Sequence, residues 1–83
     1  MKIIATNIRD INKVQISVME VVSDWARQED HPIPRKKLIS NMEIRGTNQF
    51  TVINAIRSLI KKGYIRRAVN MSNTTAYVQL RGL

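Results

Sequence analysis

Apolar residues recur at steps of three and four after Asn12, which predicts an amphipathic helix with one buried face. Asn12 is a favourable N-cap residue, and Gln15 stands three positions later, where its side chain can complete a capping box. The helix should end before Pro32 and Pro34, because a proline disfavours the helical conformation of the residue before it. The predicted buried face consists of Val14, Val18, Val21, Val22, Trp25 and Ala26.

Two further helices follow, joined by a short turn. The second, about residues 34–42, directs Leu38, Ile39 and Met42 towards the core. Gly46 can take a positive φ in the turn, and Thr47 is predicted as the N-cap of the third helix. That helix ends in two lysines and Gly63, an ending typical of helix C-termini. Its apolar stripe consists of Val52, Ile56, Leu59 and Ile60.

A period-two pattern begins after Gly63 and predicts a β-hairpin from residues 64–69 and 74–81, with a polar loop between them. Ala76, Val78 and Leu80 alternate with polar and aromatic positions, so the aliphatic set is expected to face the core. Arg67 interrupts the apolar face of the first strand, and we expect its guanidinium to reach solvent or phosphate near the end of the sheet. The fold class predicted is α+β.

Composition places the chain among small globular proteins with a polyanionic partner. Its 83 residues suit one domain, predicted over residues 12–83 after an N-terminal arm of residues 1–11. The net charge is +8, and residues 31–83 hold ten cations and one acid. Without cysteine there is no disulfide or thiolate metal site, so we expect a cytoplasmic protein. We also expect no cofactor, no metal and no membrane span. Nucleic acid is the partner that this charge favours.

The order of elements resembles the winged helix-turn-helix domains of bacterial repressors such as the LexA and MarR groups. The similarity covers residues 12–81 and depends on three stretches: Asn-Lys-Val-Gln at 12–15, Pro-Ile-Pro-Arg-Lys-Lys-Leu-Ile at 32–39, and Ala-Ile-Arg-Ser-Leu-Ile-Lys-Lys-Gly-Tyr-Ile at 55–65. This resemblance implies three helices followed by a two-stranded wing. It also implies that the third helix enters the major groove while the wing follows the DNA backbone.

The side of the third helix opposite Ile56 has the chemistry of base recognition, since Asn pairs with adenine, Arg with guanine and Thr contacts the thymine methyl. The predicted base-reading residues are Thr47, Asn48, Gln49, Phe50, Thr51, Asn54 and Arg57. Phe50 has a second interpretation, packing against the second helix or the turn. The predicted phosphate contacts are Arg35, Lys36, Lys37, Arg45, Ser58, Lys61, Arg66, Arg67, Asn70, Ser72 and Asn73, and Arg81 should help to place the wing.

These features predict sequence-specific binding of double-stranded DNA by a transcriptional regulator of bacterial, plasmid or phage origin, acting as a repressor or activator by occupancy. Ile3, Ile4, Ile8 and Met71 have no assigned place in the core, which suggests a homodimer through the N-terminal arm and first helix. No small-molecule ligand is expected.

The sequence leaves three alternative functions open. The third helix is also similar to the Z-DNA-binding domains of RNA-editing adenosine deaminases, where Asn54 matches but Ser58 replaces a tyrosine and the wing lacks the paired prolines and tryptophan. Winged helices also serve as protein–protein interaction modules in transcription or replication assemblies. An enzyme is disfavoured, because the single histidine, His31, lies in a proline-flanked loop where solvent exposure is expected, and Asp24 can pair with Arg27.

Overall fold

A computed structural model of the chain describes residues 11–82. Its three helices are α1 (Lys13–Gln28), α2 (Arg35–Ile44) and α3 (Gln49–Lys61), with one short strand between α1 and α2 and two strands after α3. The strands are β1 (Ile33–Pro34), β2 (Ile65–Val69) and β3 (Thr75–Gln79). The predicted α+β class is therefore confirmed. Of the predicted arm, residues 1–10 lie outside the described residues, and Ile11 is buried.

The start of α1 is the predicted capping box. The Gln15 amide donates to Asn12 Oδ1 at 2.8 Å, and the Asn12 amide donates to Gln15 Oε1 at 3.3 Å. The buried face is confirmed at Val18, Val21 and Val22, whereas the inclusion of Ala26 was wrong: in the last two turns of α1, Trp25 is only partly buried and Ala26 is exposed.

No helix within residues 11–82 has both the length and the apolar character needed to cross a bilayer.

Glycines with positive φ end α2 and α3, as the sequence predicted. Gly63 has φ 85°, the Tyr64 amide donates to the Leu59 carbonyl at 2.9 Å, and the Gly63 amide donates to the Ile60 carbonyl at 3.0 Å. Gly46, at φ 92°, gives α2 the same ending. This pair of bonds satisfies carbonyls that the helix end leaves without partners. Because Gly46 sets the end, α2 continues to Ile44, two residues beyond its predicted limit.

The N-cap predicted for α3 was wrong by one residue. Asn48 caps the helix, and its Oδ1 accepts a hydrogen bond from the Thr51 amide at 2.9 Å. The Thr47 amide is instead committed to ending α2, since it donates to the Met42 carbonyl at 3.0 Å. Thr47 therefore takes part in the hydrogen bonds that end α2 and does not cap α3.

The hairpin is confirmed, but the sheet has three antiparallel strands in the order β1-β3-β2 rather than two. Ile33 lies opposite Tyr77 and Pro34 opposite Ala76. A strand of two residues is too short to show a period-two pattern, so β1 escaped prediction. Pro34 has no amide hydrogen to donate, which an edge strand tolerates.

The core lies between the three helices and one face of the sheet. Its fully buried side chains are Val18, Met19, Val22, Ile33, Leu38, Met42, Val52, Leu59 and Ile65. Tyr77 belongs to this core, while Leu80 is 52% exposed. Of the predicted inward set of β3, Ala76 is buried as expected, Val78 is half-buried, and the prediction was wrong for Leu80. The register explains the difference, because Tyr77 lies beside the buried Ile33 of β1, a neighbour that the sequence did not predict.

Candidate nucleic-acid interface

Helix α3 buries one side and leaves the opposite side open. Val52, Ala55, Ile56 and Leu59 pack into the core. On the other side Phe50, Asn54, Arg57 and Lys61 are exposed to solvent, and Thr51 and Ser58 are partly exposed. We call these six side chains the outer face of α3. The helical phase follows directly from the spacing of the apolar stripe.

Phe50 is 78% exposed, so the interpretation that it packs against α2 or the turn was wrong. It lies in the first turn of α3, and Asn54 is four residues further on. Residues four apart are neighbours on a helix surface. An aromatic ring and a carboxamide therefore occupy adjacent places on the outer face.

Three predicted base-reading residues lie at the start of α3. The Oδ1 atom of Asn48 accepts the N-cap hydrogen bond, which leaves the side-chain NH2 group as the part of Asn48 free to donate to a base. Thr47 is partly buried and its backbone belongs to the turn, whereas Gln49 is exposed. Gln49 is therefore exposed, whereas the Thr47 backbone and the Asn48 side-chain oxygen make hydrogen bonds within the turn and the helix start.

A cleft of about 180 Å³ lies between α3, the start of α2 and the hairpin. It is lined by three arginines, each from a different element: Arg35 from α2, Arg57 from α3 and Arg67 from β2. Within residues 11–82 no hydrogen bond or ion pair joins any of their guanidiniums to another side chain. We call this site the arginine cleft. Arg67 is exposed, as expected, but the prediction that it lies near the end of the sheet was wrong: it is the central residue of β2, opposite Tyr77.

The other predicted phosphate-binding cations are spread over several surfaces. Lys36 and Lys37 are exposed in the first turn of α2. Arg66 is exposed on β2, but successive residues of a strand point to opposite faces, so it lies on the other side of the sheet from Arg67. Arg45 makes an ion pair with Glu20 of α1, with Nη1 2.8 Å from Oε1.

The hairpin loop is organised by Asn70. Its Oδ1 accepts hydrogen bonds from the amides of Ser72 and Thr74 at 3.0 and 3.1 Å, and from the Thr74 hydroxyl at 2.9 Å. Asn73 has φ 63°, a conformation that asparagine tolerates better than most residues. The oxygen of Asn70 thus holds the loop, while Ser72, Asn73 and Met71 at its tip are exposed.

Arg81 stabilises the other end of the hairpin. Its guanidinium carbon lies 4.1 Å from the centre of the Tyr64 ring, and its Nη2 donates to the Lys62 carbonyl at 3.3 Å. Tyr64 directly follows the glycine that ends α3. The arginine expected to place the wing on DNA therefore holds the last residues of the described chain against the end of α3.

Acidic side chains are segregated from α3 and the hairpin. No Asp or Glu follows Glu43 in the sequence. Asp24 pairs with Arg27 on α1, as predicted, and Glu29 lies 3.5 Å from the ring of the exposed His31. No group of three or more potential metal ligands occurs within residues 11–82.

Sequence reasoning missed Thr75, whose side chain also lines the arginine cleft. It lies opposite Val69 and on the same face of β3 as Tyr77. The alternation of the strand already grouped Thr75 with Tyr77. What was lacking was the knowledge that this face, rather than the aliphatic one, meets α3.

No protein-family model matches this chain, and no curated protein or solved structure is significantly similar to it.

Proposed function

We propose that this protein binds double-stranded DNA sequence-specifically as a small winged-helix transcriptional regulator. Three helices followed by a hairpin, with a third strand before α2, are compatible with that layout. In this proposal α3 enters the major groove and the β2-β3 hairpin is the wing.

One observation supports the proposal above the others: the outer face of α3 is uncovered and carries only neutral polar, aromatic and cationic side chains. An α-helix with its side chains is about 10–12 Å wide, and the major groove of B-DNA is about 12 Å wide. A helix whose exposed side holds Asn54 and Arg57 suits this groove chemically as well as in width. Residues 44–83, which include α3 and the proposed wing, carry a positive formal charge, because they contain no acid.

Asn54 is the proposed principal base-reading residue. At about 100° per residue it lies about 160° from the buried Ile56, near the centre of the outer face. Its carboxamide can donate to and accept from adenine at the same time. Phe50, one turn away, is placed for an apolar contact with the methyl group of a neighbouring thymine.

Cations on the other elements are the proposed phosphate contacts. Lys36 and Lys37 extend from the first turn of α2, and Arg67 extends from the wing. Such contacts release counterions from the duplex, so affinity falls steeply as salt rises. Arg45 is a weaker candidate than the sequence suggested, because its charge is partly balanced by Glu20.

Selection of bound sites from a random duplex library, followed by a salt titration of the selected duplex, tests the proposal. We expect a selected site and a steep fall in affinity with salt. Asn54→Ala should weaken binding to the selected duplex by about 1–3 kcal/mol and relax the preference at one base pair. Asn41→Ala, the same substitution on α2, is the matched control and should leave base preference unchanged. Absence of duplex binding at low salt would overturn the proposal.

A protein-interaction module is the second candidate, since several aliphatic side chains are exposed. Ile44 is 81% exposed at the end of α2, and Val69 is 67% exposed at the end of β2. The same titration distinguishes the two candidates, because a protein-binding module should have little affinity for duplex at any salt concentration.

A further inference from the structure

The arginine cleft is lined by residues of α2, α3 and the hairpin. The cleft is also lined by three isoleucines of α3, Ile53, Ile56 and Ile60, of which Ile56 is 3% exposed. Arg35 and Arg67 enter from the start of α2 and from the strand that follows α3. Three arginines from three separate elements thus line one cleft.

This arrangement favours an anionic ligand. No carboxylate lines the cleft among residues 11–82, so the mutual repulsion of the three arginines is not balanced from within the described chain. Helix α2 begins at Arg35, and its N-cap, Pro34, makes no side-chain hydrogen bond to the first turn. The positive end of that helix therefore adds to the field of the three arginines.

The chemistry and size of the cleft suit one phosphate group. Guanidinium groups present paired N–H donors that match two oxygens of a phosphate. A volume of about 180 Å³ is below the ~300–1,000 Å³ typical of pockets for drug-sized ligands. A nucleoside would not be enclosed, whereas a phosphate would meet donors from several sides.

Arg57 points away from the centre of the outer face. With about 100° per residue it lies about 100° from Ile56, between the cleft-lining Ile53 at about 60° and Asn54 at about 160°. Lining the cleft together with Ile53 and Ile60, it occupies the flank of α3 that faces the hairpin. Its guanidinium is thus grouped with Arg35 and Arg67 rather than with Asn54.

We propose that Arg35, Arg57 and Arg67 together bind a single phosphate of the DNA backbone, so that Arg57 anchors the duplex and does not read a base. This inference rests on the proposed duplex binding. It places one phosphate against the joint between α3, α2 and the wing, which orients the helix and the hairpin on the same strand.

The test uses the full chain and the selected duplex, in which one phosphate at a time is replaced by an uncharged methylphosphonate. We expect one linkage whose replacement weakens wild-type binding about tenfold. The same replacement should have little further effect on Arg35→Gln, Arg57→Gln or Arg67→Gln, since each variant has already lost part of that contact. Arg27→Gln on α1 removes the same charge from a residue that does not line the cleft, and it should keep the full tenfold response.

Salt dependence and base preference give independent readouts. The variant with all three substitutions should lower the slope of log affinity against log salt by about 0.9, the value for one phosphate, whereas three separate contacts would lower it by about 2.7. Arg57→Gln should leave the preferred base at every position unchanged, and Arg57→Lys should restore part of the affinity. The three side chains are exposed, so the variants should remain folded, which far-ultraviolet circular dichroism checks.

The possible results distinguish the shared phosphate contact from the duplex binding on which it depends. If the wild type binds its duplex but the three variants respond to three different linkages, or Arg57→Gln changes a preferred base, the shared phosphate is refuted and duplex binding stands. If the wild type binds no duplex, both are refuted.

Discussion

Asn48 has two predicted roles, base reading from the sequence and N-capping from the structure, and three substitutions separate them. Asn48→Ala removes the 2.9 Å hydrogen bond from the Thr51 amide to Oδ1. Losing such a cap costs about 1 kcal/mol, within a range of about 0.5–2. In a domain of this size that lowers the midpoint of thermal unfolding by about 4–8 °C.

Asn48→Ser and Asn48→Asp keep an oxygen that can cap the helix, so both should retain most of the stability of the wild type. The aspartate also places a negative charge at the positive end of α3, which is favourable by a further ~0.3–1 kcal/mol. The same carboxylate would lie at the proposed DNA surface. One unit charge about 4 Å from a phosphate costs about 1 kcal/mol in water, so Asn48→Asp should bind DNA roughly fivefold more weakly.

Stability is measured by urea unfolding followed by circular dichroism, and DNA affinity by fluorescence anisotropy at a fixed salt concentration. Gln49→Ala is the matched control, because its exposed side chain makes no cap and should change stability little. The capping argument is wrong if Asn48→Ala unfolds at the wild-type urea concentration. The proposed interface is wrong at this position if Asn48→Asp binds DNA as tightly as the wild type.

Two further predictions concern the elements that position α3. Leu59→Ala, at a fully buried position, should cost about 2–5 kcal/mol in urea unfolding, and an unchanged midpoint would contradict the assigned core. Gly63→Ala should cost about 1–2 kcal/mol, since no neighbouring atom of residues 11–82 lies within 4 Å of the added methyl group and the whole effect comes from the 85° φ angle. Gly63→Asn should be milder than Gly63→Ala, and equal stabilities of the two variants would argue against that backbone conformation.

Local signals along the chain determined the three helices and located their ends to within two residues. The capping box at Asn12 and Gln15 was predicted, and so were the positive φ angle of Gly46 and the end of α3 at Gly63. These features depend on bonds between residues at most five positions apart, so residue type and spacing are sufficient to predict them. The exposed outer face of α3 could also be predicted, because the spacing of the apolar residues fixes the buried side of the helix and the outer face lies opposite it.

Contacts between distant residues decided the remainder. The two-residue strand β1 exists only because Ile33 and Pro34 meet β3, more than forty residues later in the chain, and this pairing makes Tyr77 a core residue. The grouping of Arg35, Arg57 and Arg67 likewise arises from packing α2 and the hairpin against α3. Sequence spacing reports the neighbours of a residue along its own helix or strand, whereas the neighbours it gains from other elements are set by how those elements pack.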